Sequence, residues 1–260
     1  MRIYTNLQDA LIETERDLYE MGQSVHPQTM QDKFVGDDPD YLTKEIRGYG
    51  FKIVNWSPDN EAFMRIFKHF FQTEEKAHNA LTYILSELQD RTDKGPSNPG
   101  RAYEHRKNVW NEFMHNGKFA YTYSERMNPQ IFRILEELKL NPESRQGIIN
   151  IHSNIKADNK CRMDLMTHIV NQGADIINMG GVSRIPCSMY YQVMIRESKV
   201  DLIYTMRSCD LLVHFPIDIS LAILLQDWFA DTLGLEIGTF TYFVGSLHSY
   251  MKNLKERGIF

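Results

Sequence analysis

Residues 186–210 read PCSMYYQVMIRESKVDLIYTMRSCD, and residues 215–234 read FPIDISLAILLQDWFADTLG. In the first stretch Val200, Leu202, Tyr204 and Met206 alternate with Asp201 and Thr205, the period of two that a half-buried strand requires. Met189–Arg196 before it and Phe240–Tyr250 after it have the same strand-like character, as does Gly147–His152. The second stretch differs: Ile219–Leu233 is apolar nearly all round and closes at Gly234, which marks a buried helix with a glycine stop. Toward the N-terminus the chain turns helical. Asn6 can cap a first helix carrying Leu7, Leu11 and Leu18, with Gly22 as its end. Residues 23–38 hold Pro27 and Gly36 and read as a long surface loop, followed by a short helical stretch from Tyr41 to Arg47. Ser57-Pro58-Asp59 reads as a helix start, with Ser57 capping and proline in the first helical position. Phe63, Ile66, Phe67, Phe70 and Phe71 then mark one apolar face. Ala77, Ala80, Leu81, Ile84, Leu85 and Leu88 mark another, and a last helix falls near Ile131–Leu140. Helices early and strands late predict an α+β fold. Asp93–Arg101 (DKGPSNPGR) resembles a linker, but neither flank is a complete α/β unit. One domain over residues 1–260 is therefore expected, with 58–101 as a candidate helical insertion.

The chain has 260 residues, 29 Lys+Arg, 34 Asp+Glu and a formal charge of −5. That length can bury one substantial core. The charge shows no basic footprint, which argues against polymeric DNA or RNA as the main partner. A local arginine pocket for a small anion stays compatible with it. Three cysteines are too few for a disulfide framework, so a reducing, cytoplasmic setting is expected. The N-terminal MRIYTNLQDALIETERDLYEMG is acidic and amphipathic, unlike a signal peptide. The longest apolar run, Ile219–Leu233, is interrupted by Gln226, Asp227 and Asp231 and is too short to span a bilayer. No metal is called for.

The residues suited to chemistry cluster between Pro186 and Tyr250. Cys187 follows a proline and precedes a strand, and Arg207-Ser208-Cys209-Asp210 lies twenty residues on. Asp218 and then His248-Ser249-Tyr250 follow. A lone cysteine is usually a small buried hydrophobe. As a nucleophile it reacts as thiolate, which a nearby guanidinium favours. Arg207 with Ser208 offers a fork of donors and a hydroxyl suited to a phosphate; the ordinary alternative is a surface ion pair between Arg207 and Asp210.

IPCSMYYQ, MRSCD, FPIDIS and VGSLHSY resemble, without gaps from Cys187 to Tyr250, the active-site half of the thymidylate synthase family. NPESRQ at 141–146 resembles the family's NP-x-SRR segment, and weaker local likeness surrounds Glu45, Trp110 and Tyr123. The resemblance implies a thymidylate synthase-like fold, a mixed sheet with flanking helices around a buried central helix. It implies a homodimer and 5,10-methylenetetrahydrofolate as the one-carbon donor. In that scheme Cys187 adds to C6 of a pyrimidine nucleotide and C5 takes the carbon. Arg207, Ser208 and, from the partner subunit, Arg145 would hold the 5′-phosphate. His248 and Tyr250 would bond the sugar hydroxyl, and Glu45 would organise water and move protons near C4 and C5. Asp210, Trp110 and Tyr123 would lie on the folate side. Each has an ordinary alternative: Trp110 as core, Glu45 as a helix-surface acid, Tyr250 as packing.

Asp218 departs from the synthases, which carry Asn there. An amide answers uracil's ring N–H and carbonyl. A carboxyl instead accepts from cytosine's amino group and completes the second bond if it or the ring nitrogen is protonated. Facing uracil, a carboxylate would set acceptor against acceptor. Asp218 thus argues for a cytosine base, its alternative role being the cap of the following helix. With Asp here the chain is most similar to the phage deoxycytidylate hydroxymethylases, where water attacks the methylene left on C5. The expected activity is dCMP 5-hydroxymethylation. A dCMP methyltransferase, a CMP hydroxymethylase, an atypical thymidylate synthase on dUMP and a non-catalytic nucleotide-binding protein stay open as alternatives. Other departures are Gln146 for the second Arg, Ser188 after the nucleophile and His214 beside the base pocket. The stretch between Arg145 and Cys187, including Gly180-Gly181, is also long, and only ten residues follow Tyr250, where synthases carry a closing segment. Cover over the ligands is expected from that stretch or from the helices at 58–91.

Overall fold

The computed structural model describes residues 1–30, 33–57, 59–152 and 185–259. In chain order β1 (Arg2–Tyr4) leads into α1 (Leu7–Met21), then the short strands β2 (Gln23–Val25), β3 (Thr29–Met30) and β4 (Lys33–Phe34), and the long β5 (Thr43–Ile53). The helices α2 (Asn60–Phe71), α3 (Glu74–Thr92), α4 (Lys107–Trp110) and α5 (Tyr123–Leu140) follow. β6 (Ile148–Asn150), β7 (Ser188–Arg196), β8 (Lys199–Asp210), α6 (Phe215–Leu233), β9 (Glu236–Tyr250) and α7 (Met251–Glu256) complete the order. The main sheet runs β1-β5-β9-β8-β7-β6, with β2 also on β5. β9 lies antiparallel to β5 and parallel to β8, and β7 and β8 form an antiparallel pair, so the sheet is mixed. The fold is α+β, as the run of early helices and late strands implies.

α6 packs against β8 and β9 and buries Phe215, Ile219, Ala222, Ile223 and Phe229 almost completely. A helix apolar on every side needs cover on every side, and α3 supplies another wall. Its one amide in the core, Gln226, donates to Val200 O at 2.7 Å and Thr239 O at 3.3 Å. These carbonyls flank the register shift between β8 and β9. Gly234 ends α6 in the left-handed region (φ 68°) and returns its N–H to Ala230 and Asp231. Asn6 caps α1 by accepting from Asp9 N at 2.8 Å, and Gly22 N–H closes on Leu18 O. Phe63, Ile66, Phe67 and Phe70 of α2 join the same core as Ile131, Leu225 and Tyr242. Among the described residues no helix is long and apolar enough to cross a membrane.

Four sequence expectations need correction. Tyr41–Arg47 is not helical: a 3₁₀ turn covers Pro39–Tyr41 and β5 starts at Thr43. β5 is hydrogen-bonded on both sides, and that pairing outweighs the helix preference of Lys44, Glu45 and Arg47. The 23–38 loop contains β2, β3 and β4. The cap of α2 is Asp59, accepting from Glu61 N at 2.9 Å, and not Ser57. α3 buries Ala77, Ala80 and Ile84 of the expected face but leaves Leu85 45% exposed, and it also buries Tyr83, Glu87, Asp90 and Arg91. The Asp93–Arg101 loop is pinned onto α5 and its approach, with Ser97 N donating to Ser124 Oγ at 3.0 Å and Asn98 Nδ2 to Phe119 O at 3.0 Å. Gly180-Gly181 lies outside the described residues.

Candidate active site

Cys187 occupies the turn before β7, half-buried, where β8 turns its Arg207 back toward it. Arg207 N donates to Cys187 O at 2.9 Å. The guanidinium is fixed by donation from Nε to Pro186 O at 2.9 Å, from Nη2 to Ile185 O at 3.1 Å and from Nη1 to Ser208 Oγ at 3.1 Å. Thus Arg207 is committed to the turn that carries Cys187 and not to an ion pair with Asp210. Its Nη2 and the Ser208 hydroxyl each stand 3.7 Å from Cys187 Sγ. A cation and a hydroxyl aimed at one sulfur are what an anionic nucleophile or an adjacent phosphate requires. Gly245 makes the neighbouring strand fit: a Cβ there would lie 2.8 Å from Arg207 O.

Register brings a second group alongside. Glu45 on β5 faces His248 on β9, and His248 faces Asp210 on β8, so three strands carry one row of polar residues. Ser246 Oγ donates to Glu45 Oε1 and lies 3.4 Å from His248 Nδ1. Burial lowers the His248 pKa, which favours the neutral ring. Tyr250 meets the His248 ring edge to face at 5.7 Å, and burial pushes its phenol up to about 12. Glu45 is therefore a strand residue in a hydrogen-bonded row, not a helix-surface acid.

The sulfur opens onto a cavity of about 160 Å³. Cys187, Ser208, Asp210, Asp218, Trp110 and Tyr123 all line it. Asp218 sits inside the first turn of α6, its N–H bonded to His214 O at 2.8 Å. His214 holds the cap position, so the capping alternative for Asp218 does not hold. Cys209, whose thiol burial keeps well above its ordinary pKa, donates to Asp218 Oδ2 at 3.8 Å. Burial also raises Asp210 to about 7, against two opposing backbone N–H bonds from Leu212 and Val213. Trp110 meets Tyr83 and Phe119 edge to face, both at 5.8 Å, and Tyr121 continues this aromatic wall. A cavity walled by aromatic rings with a buried carboxyl suits a planar ring that carries hydrogen-bond donors.

Glu45, Arg207, His248 and Tyr250 stand beside the cavity without lining it, and Arg145 is set apart on the exposed turn before β6. There Arg145 O accepts from Gln192 Nε2 at 2.9 Å. Sequence reasoning passed over Ser246, although it shares the alternation of Ser246, His248 and Tyr250. It also passed over Tyr83, Glu87 and Arg91 of α3, which line the cavity.

A family model described as thymidylate synthase matches residues 48–257. Among solved structures, thermostable thymidylate synthase A from Bacillus subtilis superposes with a TM-score of 0.63 at 16% identity, covering 98% of this chain and 84% of that one. Thymidylate synthase from T4 phage gives 0.63 at 16% identity, covering 96% and 79%. At such identity the structural likeness shows the fold alone; the family match spans most of the chain and includes the Cys187 turn, Arg207 and the β9 row. On that match the chain belongs to the thymidylate synthase family.

Proposed function

We propose that this protein is a folate-dependent deoxycytidylate 5-hydroxymethyltransferase. The family's reaction is one-carbon transfer from methylenetetrahydrofolate to C5 of a pyrimidine nucleotide, and the finer assignment rests on Asp218. That carboxylate is held inside a rigid helix and lines the cavity that Cys187 opens onto. In this reading Cys187 Sγ adds to C6 of the base, with Arg207 and Ser208 holding the 5′-phosphate nearby. Covalent addition makes C5 nucleophilic and divides one hard step into easier ones. 5,10-Methylenetetrahydrofolate supplies the carbon, and Trp110, Tyr123 and Asp210 would hold its ring. Asp218 accepts from the cytosine amino group. His248 and Tyr250 bond the sugar, and Glu45, tied to Ser246, positions the water that completes the hydroxymethyl group. Loss of the C5 proton and departure of tetrahydrofolate would expose the methylene to that water, and elimination of the Cys187 thiolate then restores the C5–C6 double bond.

Arg145 completes the phosphate site of a second copy in this scheme. The uncovered sheet face supports a homodimer: Ile148, Tyr190 and Phe243 are 47%, 36% and 42% exposed, and Tyr190 and Phe243 share one row through Thr205. The decisive experiment is tritium release from C5 of labelled dCMP, dUMP and CMP with methylenetetrahydrofolate present, followed at the absorbance of dihydrofolate. Release from dCMP without dihydrofolate is the expected result. Dihydrofolate formation would make the product methyl, and release from dUMP alone would overturn the cytosine assignment. No release from any of the three would leave a binding protein.

A further inference from the structure

The α3 wall of the cavity holds an ion pair that the proposed chemistry does not use. Glu87 and Arg91 are 7% and 4% exposed, one turn apart, with Arg91 Nε donating to Glu87 Oε1 at 2.7 Å. Taking both charges out of water costs several kcal/mol per ion before their attraction returns any of it. A pair placed there for stability alone would be a poor choice against two apolar side chains. Its remaining contacts are specific. Arg91 Nη1 donates to Tyr191 OH at 3.3 Å, and the guanidinium lies 4.5 Å over the Tyr123 ring.

Tyr191 leads toward the residue after Cys187. It stacks on Tyr204 at 4.4 Å with the rings nearly parallel, and Tyr204 OH shares a 2.7 Å hydrogen bond with Ser188 Oγ. Tyr123 lines the cavity together with Cys187 and Asp218. The result is a buried chain of polar groups from Glu87 through Arg91 and the tyrosines to the residue after Cys187. Buried networks of this kind fix one arrangement when every member is satisfied, and each member polarises the next.

We propose that Arg91, anchored by Glu87 and packed on Tyr123, is a positioning residue for the nucleophilic step, setting Tyr191 and, through its stack on Tyr204, the Ser188 hydroxyl, and thereby seating Cys187 beneath the base. This deepens the hydroxymethylase reading and rests on it for the identity of the base. Arg91 touches no reacting atom; it acts through the two rings. A guanidinium can donate sideways to Glu87 and Tyr191 while presenting its flat face to Tyr123, which an ammonium cannot do in one position.

The test uses Arg91→Met, Arg91→Lys and Glu87→Gln in the full-length protein, each first shown to be folded by its circular dichroism and melting curve. In the tritium-release assay Arg91→Met is expected to lower kcat about 30-fold or more while the dCMP KM stays within about threefold, because Arg207 and Ser208 are untouched. Arg91→Lys should fall between Met and wild type, and Glu87→Gln should lose less than Arg91→Met. A folded Arg91→Met with wild-type kcat, or one whose kcat and KM worsen together, overturns the proposal. A second readout needs no nucleotide: site-resolved iodoacetamide alkylation of Cys187, quantified by mass spectrometry, should slow several-fold in Arg91→Met. If the wild type releases no tritium, the hydroxymethylase reading falls, while alkylation still decides the role of Arg91. Equal alkylation rates in that case overturn it.

Discussion

Replacing Asp218 by Asn tests the proposed base-reading contact with almost no change of side-chain shape. The residue lies in the interior of α6, bonded through its backbone N–H to His214 O, so the exchange changes neither cap nor chain path. The amide oxygen can still accept from the Cys209 thiol that now bonds Oδ2. What changes is one edge: an acceptor-only group becomes half acceptor and half donor. A buried polar group facing the wrong partner costs about 1–3 kcal/mol. The exchange reverses one such contact for cytosine and one for uracil, so the relative preference should move by roughly 2–6 kcal/mol, about 30-fold to about 10⁴-fold toward dUMP. The assay is tritium release from dCMP and dUMP side by side, reported as the ratio of kcat/KM values. A folded Asp218→Asn protein whose ratio stays within threefold of wild type would refute the reasoning and leave Asp218 as a structural carboxylate.

Other outcomes follow from single groups. Cys187→Ser should abolish both tritium release and product, since exchange at C5 depends on addition at C6; residual exchange would exclude the covalent route. Asp210, raised to about 7 in the folded state from an ordinary value of 3.8, takes up a proton on folding at any pH between those values. Wild-type stability should therefore fall relative to Asp210→Asn as pH rises from about 4 to 7 and then level off, by about 4 kcal/mol at most. Urea unfolding at pH 5 and pH 8 measures this, and parallel curves for the two proteins would contradict it. Gly245→Ala must displace β9 from Arg207 O, so nucleotide KM should rise about tenfold and stability drop by about 1–3 kcal/mol. An unchanged KM would show that β9 does not set the position of Arg207.

The elements most legible in the sequence are those whose local pattern and tertiary role agree. The Val200–Met206 alternation and the apolar run to Gly234 become β8 and α6 because burial in the sheet and core rewards those same periods. Lys44-Glu45-Ile46-Arg47 favours a helix locally, and its pairing with β2 on one side and with β9, two hundred residues away, on the other makes it a strand. α3 shows the same limit. Its Ala77, Ala80 and Ile84 are buried as the apolar spacing implies, but Arg91 also faces inward, onto Tyr123 of α5 and Tyr191 of β7, partners that the helix's own stretch of sequence does not contain. Cys187, Arg207 and Asp218 could be read because their spacing matches known motifs. Arg91 matched nothing: near a helix C-terminus, an arginine is the ordinary companion of the macrodipole.

β9 explains why the recognisable part of this chain is recognisable. Its residues are paired to β5 on one flank and to β8 on the other, so its cadence is locked twice. Inserting or deleting a single residue would roll Ser246, His248 and Tyr250 together onto the opposite side of the pleat. The helices and turns around it can drift, lengthen or be rewritten, but this strand can only keep time. A molecular ruler of that kind fixes the intervals between Ser246, His248 and Tyr250, and with them the spacing of the row they form with Glu45 and Asp210.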